Sequence, residues 1–200
     1  MTAAGLLALV GSAAGAPTSA TAATPLQIYG AWHCGNDACT WATVRNMTDF
    51  DTNNHWLIDR GDGRPSVNLV VLSFVNPLRL LNGTNDSGDA NGVPVGMNQA
   101  VVNYFTSHGI RVMLSIGGIT YTSDWNTALA QNPTLLGQKA AALASQLGVG
   151  IEIDYEESSS PNLTGLQAFI DAYRAAHPTT RPGPTPPPGS PSTSPPGTAG

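Results

Sequence analysis

Lysine is almost missing from this chain. Lys139 is the one lysine in 200 residues, and Lys and Arg together number 8 against 13 Asp and Glu, a net charge of −5. No basic patch can be assembled from so few cations, which argues against nucleic acid and anionic membrane surfaces as partners and favours a neutral polymer. Long apolar runs are also lacking. The stretch Leu6–Val10 is far shorter than the roughly 20 residues a membrane-spanning helix needs. Cysteine is limited to Cys34 and Cys39, in Cys-Gly-Asn-Asp-Ala-Cys. An even pair bounding a turn-rich loop, in an exported chain, implies a disulfide that shapes the loop after the first strand. A metal site would need more ligands than His33 and Asp37 supply, so neither a metal nor a cofactor is expected.

Both ends have non-globular composition. Residues 1–23 are mostly Ala, Gly, Leu, Thr and Ser, with Ala20-Thr21-Ala22 as an A-x-A cleavage site. This is the pattern of a secretory signal without its Lys/Arg start, so a clipped or mis-assigned beginning and an extracellular location are expected. From Thr179 onward every residue is Pro, Thr, Gly, Ser, Ala or Arg. Such a segment cannot build a core and is expected to be disordered or polyproline-like. Two readings of it stand: a linker towards a carbohydrate-binding module, or the product of a frameshift in a GC-rich gene. The folded domain is therefore expected within residues 24–178.

Within that domain the pattern alternates. Strands are expected over 26–31, 67–75, 110–116 and 148–154, and helices over 97–108, 133–147 and 162–177. Residues 40–59 are a helix or irregular, and 82–96 a polar loop rich in Gly, Asn and Asp. Gly148 stands where a helix C-cap belongs. Alternating strands and helices imply an α/β fold with a parallel sheet and right-handed crossovers.

Chemistry concentrates in Gly150-Ile151-Glu152-Ile153-Asp154-Tyr155-Glu156. In a strand, residues two apart share a face, with Cα atoms about 6.6 Å apart. Glu152, Asp154 and Glu156 then form one acidic row, and Ile151, Ile153 and Tyr155 pack behind it. The bland alternative is a solvated edge strand. A row held in a fold, however, shifts carboxyl pKa values and suits proton transfer. A second motif precedes it: Val112-Met113-Leu114-Ser115-Ile116-Gly117-Gly118, an apolar strand with a tight glycine exit. Alone, that exit is usually just a turn.

Together and in this order, the two motifs resemble those of family 18 glycoside hydrolases, whose third barrel strand ends in S-x-G-G and whose fourth carries D-x-x-D-x-D-x-E. The resemblance covers about residues 26–178. Ser115, Gly117 and Gly118 match the first motif. In the second, Glu156 stands at the proton donor and Asp154 at the carboxylate that orients the substrate's N-acetyl group. Glu152 and Val149 each occupy a position that is usually Asp. The resemblance implies a partial TIM (β/α)8 barrel of about four βα units, out of eight in a whole barrel. It further implies a secreted chitinase that cleaves β-1,4-linked N-acetylglucosamine by substrate-assisted retaining catalysis, an exception to the two-carboxylate scheme. An endo-β-N-acetylglucosaminidase and a non-catalytic glycan-binding protein are the alternatives; the donor glutamate favours an enzyme. Aromatic candidates for a glycan cleft are Trp32, Trp41, Trp56, Tyr121 and Trp125. Of these, Trp32, Tyr121 and Trp125 are placed after strand ends on the catalytic face. Four units leave open sheet edges. Such a piece is expected to associate or aggregate and to cleave chitin poorly.

Overall fold

The computed structural model describes residues 27–35 and 43–177. The leader, the Pro-rich tail, Cys39 and Trp41 lie outside them, and with Cys39 so does the Cys34–Cys39 pairing. Four strands make one parallel sheet: β1 (Gly30–His33), β2 (Leu69–Val75), β5 (Arg111–Gly117) and β6 (Gly150–Asp154), in the order β1-β2-β5-β6. A two-stranded antiparallel hairpin, β3 (Asp89–Ala90) with β4 (Val93–Pro94), forms a separate small sheet whose turn is bound to the end of β2, where the Asn76 N–H donates to the Gly92 carbonyl at 2.8 Å. The long strands follow one another across the sheet in chain order, the arrangement of consecutive βα units in a barrel. Among the described residues the sheet is open, with β1 and β6 at its edges.

Among the described residues six α-helices accompany the sheet: α1 (Met47–Ile58), α2 (Pro77–Asn82), α3 (Gln99–Thr106), α4 (Thr122–Gln131), α5 (Pro133–Leu147) and α6 (Leu163–Ala176). None of the described helices is long and apolar enough to cross a membrane. Five of the six start on asparagine. Asn46, Asn76, Asn98, Asn132 and Asn162 each accept a backbone N–H of the first turn through their side chains. Each such cap satisfies a donor that the helix itself cannot, worth about 1 kcal/mol. The exception is α4, which grows directly out of a 3-10 turn at Ile119–Tyr121 with no side-chain cap.

The register assigns the two faces of the sheet. Val70, Leu72, Val112, Leu114 and Ile116 alternate into the core, where they meet Leu57, Phe105, Leu136 and Phe169 from the helices. Full burial of side chains this size stabilises by roughly 1.5–3 kcal/mol each. The opposite face carries Trp32, Val71 and Met113 in one row and Ser73, Ser115 and Glu152 in the next. The described helices pack on the first face, which leaves the second as the side where the sheet can meet a ligand.

Most expected elements are present, with α5 at the expected 133–147 and Gly148 in the left-handed conformation at its end. Three features differ. The first strand runs from Gly30 to His33, so Trp32 lies within it rather than after it. The polar stretch 82–96 contains the hairpin β3–β4, turning at Asn91 and Gly92, both at positive φ. Helices α2 and α4 were not expected; the first is six residues long, too short for apolar periodicity to show.

Candidate active site

The alternation of β6 holds. Ile151, Ile153 and Tyr155 pack against the helix-side core. Glu152 and Asp154, half-buried, face the open side, and Glu156 follows beyond the strand end, exposed. Glu152 lies opposite Ser115 and Asp154 opposite Gly117 in the ladder with β5. Ser115, fully buried, donates its hydroxyl to Glu152 Oε2 at 2.5 Å. A cavity of about 780 Å³ runs along the outer side of β6, lined by Met113, Glu152, Tyr173 and Arg174 among others.

Burial pushes the Glu152 carboxyl above its ordinary pKa; the charge of Asp154 adds to this and the Ser115 hydrogen bond opposes it. A carboxyl that holds its proton more tightly when folded stabilises the fold on the acid side. That stability is lost as pH rises from the ordinary glutamate value through the raised one. Glu152→Gln keeps an oxygen to accept the Ser115 hydroxyl and removes the charge. We expect the variant to gain thermal stability relative to the parent at pH 7.5, and to gain little or nothing at pH 4. Melting curves at the two pH values check this; a larger gain at pH 4 would reverse the assigned sign.

Ser-x-Gly-Gly brings β5 against β6 at the acidic row. Gly117, at φ +123°, has no room for a side chain: a Cβ there would lie 2.0 Å from the Asp154 carbonyl oxygen and 2.3 Å from Trp125 Nε1. Gly118 donates its N–H to that same carbonyl at 3.0 Å. Both glycines are buried. With Ser115, whose hydroxyl binds Glu152, they hold β6 at Glu152 and Asp154.

The placement of Trp125 in a glycan cleft is corrected. It is 0 % exposed, its ring N–H donates to the Ile116 carbonyl at 3.1 Å, and it packs edge-to-face on Phe169 and tilted on Tyr155. The 3-10 turn and helix that follow β5 rotate it into the core, where no glycan can reach it. Tyr121 is half-buried among Arg79, Asp86, Asp89 and Asp124, and burial raises its hydroxyl above the ordinary tyrosine value. Arg79 there is bound to Asp86 at 2.6 Å and Asp89 at 2.5 Å. Trp32 is 60 % exposed on the open face, one row below Glu152. Trp56 is exposed on α1. Among the described residues no three His, Cys, Asp or Glu side chains are grouped so as to hold a metal ion.

Two polar residues at the site were missed. Asn126 of α4 accepts the Tyr155 hydroxyl through Oδ1 and donates from Nδ2 to Glu157 Oε2 at 3.0 Å. Glu157 was detectable in retrospect, because all three glutamates of the chain fall at 152, 156 and 157. Asn126 carries no such local signal.

No family model and no curated protein matches the chain. Among solved structures, it is similar to the crystal structure of a chitinase from Rhizomucor miehei, with 18% sequence identity and a TM-score of 0.45. The match covers 55% of this chain and 37% of that one, so the chain spans little more than a third of the structure it matches.

Proposed function

We propose that this chain belongs to a secreted glycoside hydrolase acting on β-1,4-linked N-acetylglucosamine, a chitinase by substrate-assisted retaining catalysis. One observation carries the reading. Glu152, Asp154 and Glu156 leave one parallel strand on the side of the sheet that the helices do not cover, with Glu156 exposed beyond the strand's C-terminal end. Functional groups of parallel α/β sheets gather at that end.

The roles follow from position. Glu156 donates its proton to the glycosidic oxygen as the bond to C1 breaks. The acetamide oxygen of the sugar on the non-reducing side attacks C1 and forms a cyclic oxazolinium ion. Asp154, further back along the row, orients the acetamide and compensates the positive charge. Water then attacks C1 and loses a proton to Glu156, which restores the acid and yields a product of retained configuration. Glu152, bound to Ser115, lies beside Asp154 and helps to hold the row in place. Secretion and a Cys34–Cys39 disulfide are part of the same proposal.

The experiment is prolonged incubation of the protein with the hexamer of N-acetylglucosamine, followed by mass spectrometry and proton NMR. The open sheet makes slow turnover the expectation, so detection rather than rate decides. Shorter oligomers, first formed as the β anomer, are expected. An unshortened hexamer, or an α anomer formed first, would overturn the reading.

A further inference from the structure

Glu156 stands just past the end of the β5–β6 ladder, whose last pair is Gly117 with Asp154. Strand hydrogen bonds do not fix the backbone that carries it. A general acid nevertheless has to be placed to within a fraction of an ångström, because a misplacement of about 1 Å can cost about a hundredfold in rate.

The residues on either side of Glu156 are tied down instead, and to the same side chain. Tyr155 donates its hydroxyl to Asn126 Oδ1, and Asn126 Nδ2 donates to Glu157 Oε2 at 3.0 Å. The tie is carried onward at both ends. Glu157 Oε1 accepts the backbone N–H groups of Ser159 at 2.7 Å and Ser160 at 3.1 Å. The Tyr155 oxygen accepts the N–H of Asn162, the cap of α6, at 3.0 Å. Tyr155 is also held by its ring against Trp125, with centroids 5.7 Å apart. Tyr155 and Glu157 are half-buried on the helix side while Glu156 between them is exposed.

We propose that Asn126 is a positioning residue for Glu156: by holding Tyr155 and Glu157 behind the strand, it fixes the direction in which the glutamate between them projects. The proposal rests on Glu156 being the proton donor. Only a side chain with one acceptor and one donor, at asparagine's length, serves both partners. Aspartate keeps the acceptor for Tyr155 but sets a second negative charge against Glu157, and alanine keeps neither bond. The Glu157 carboxyl lies below its ordinary pKa, with the Asn126 amide as the largest cause. That agrees with an ionised, tightly bound acceptor.

The test uses the full chain and two readouts. Hydrogen exchange followed by mass spectrometry reports on the amides of Ser159, Ser160 and Asn162. In Asn126→Ala they are expected to exchange at least about tenfold faster than in the parent, because their acceptors are released. Unchanged exchange would overturn the proposal whether or not the protein is an enzyme. Hydrolysis of N-acetylglucosamine oligomers gives the second readout. Asn126→Ala and Asn126→Asp are each expected to lower kcat about 10- to 100-fold while KM stays within about threefold. Adding Glu157→Gln to Asn126→Asp exchanges donor for acceptor: the new amide at 157 donates to the carboxylate at 126. That double variant is expected to recover most of the lost kcat. A folded Asn126→Ala with kcat within about twofold of the parent would overturn the proposal, as would a double variant no better than Asn126→Asp alone. If Glu156→Gln cleaves as fast as the parent, the assignment of the donor falls instead, and hydrogen exchange alone decides whether the tie exists.

Discussion

Under the proposed mechanism, Glu156→Gln is expected to abolish cleavage of N-acetylglucosamine oligomers and to leave their binding nearly unchanged. The amide has the shape of the carboxyl and can hydrogen-bond to the glycosidic oxygen, but it cannot transfer a proton to it. Loss of one general acid costs about a hundred- to ten-thousandfold. The fold should not notice the change, since the side chain is exposed and a surface substitution of this kind shifts stability by roughly 0.5 kcal/mol or less. Activity and stability therefore separate cleanly in this one variant. Oligomer cleavage measured beside calorimetric titration decides the matter, and turnover within about tenfold of the parent would remove Glu156 from the mechanism.

The largest effect on stability is expected from a single methyl group. Gly117→Ala would place its Cβ 2.0 Å from the Asp154 carbonyl oxygen and 2.3 Å from the Trp125 ring nitrogen, at a φ of +123° that L-residues rarely adopt. Neither neighbour can retreat. The carbonyl accepts the Gly118 N–H at 3.0 Å, and the fully buried Trp125 ring is bound to the Ile116 carbonyl at 3.1 Å. Backbone strain and overlap together should cost about 4 kcal/mol or more, against a total stability of roughly 5–15 kcal/mol for a domain. A fall in melting temperature of about 10 °C or more is expected by circular dichroism, with insoluble expression as the extreme. Gly118→Ala should be milder, because its Cβ would meet the Phe74 ring at 3.2 Å rather than a backbone atom. A Gly117→Ala protein as stable as the parent would mean that β5 and β6 do not approach as described.

What could be read from the sequence was what local chemistry writes there. Both ends of α5 were legible because Pro133 and Gly148 bracket a periodic apolar run. β6 was legible because the alternation of carboxylates with apolar residues has only one regular solution. The hairpin β3–β4 was legible in principle: Asn91-Gly92 between Ala90 and Val93 is the strongest short hairpin signal, and the surrounding polar residues masked it. α4 was not. Its first turn, Thr122-Ser123-Asp124-Trp125, lacks strong helix formers, and its buried face is only Trp125, Ala128 and Leu129. Missing that helix is what misplaced Trp125, because a tryptophan after a strand end belongs to a cleft or to the core according to which way the next helix turns. Asn126 was beyond reach for another reason. Its partners stand 29 and 31 positions away, and only tertiary structure brings them together.

The asparagine starts of α1, α2, α3, α5 and α6 decide how this domain meets acid. An aspartate cap is a better anion for the positive end of a helix, but its acceptor weakens as the carboxyl takes up a proton. An amide has no proton to take up, so five helix starts are indifferent to pH. Acid must act elsewhere, on Asp51, Asp62, Asp86 and Glu157, whose pKa values hydrogen bonds and nearby charges hold down and whose contributions fade as pH falls through those lowered values. Asp62 and Asp86 are exposed, Asp51 is half-buried on α1, and Glu157 is half-buried just past the end of β6. Acidification would thus loosen the rim of the molecule, Glu157 behind the acidic row included, while the secondary structure beneath it kept its beginnings.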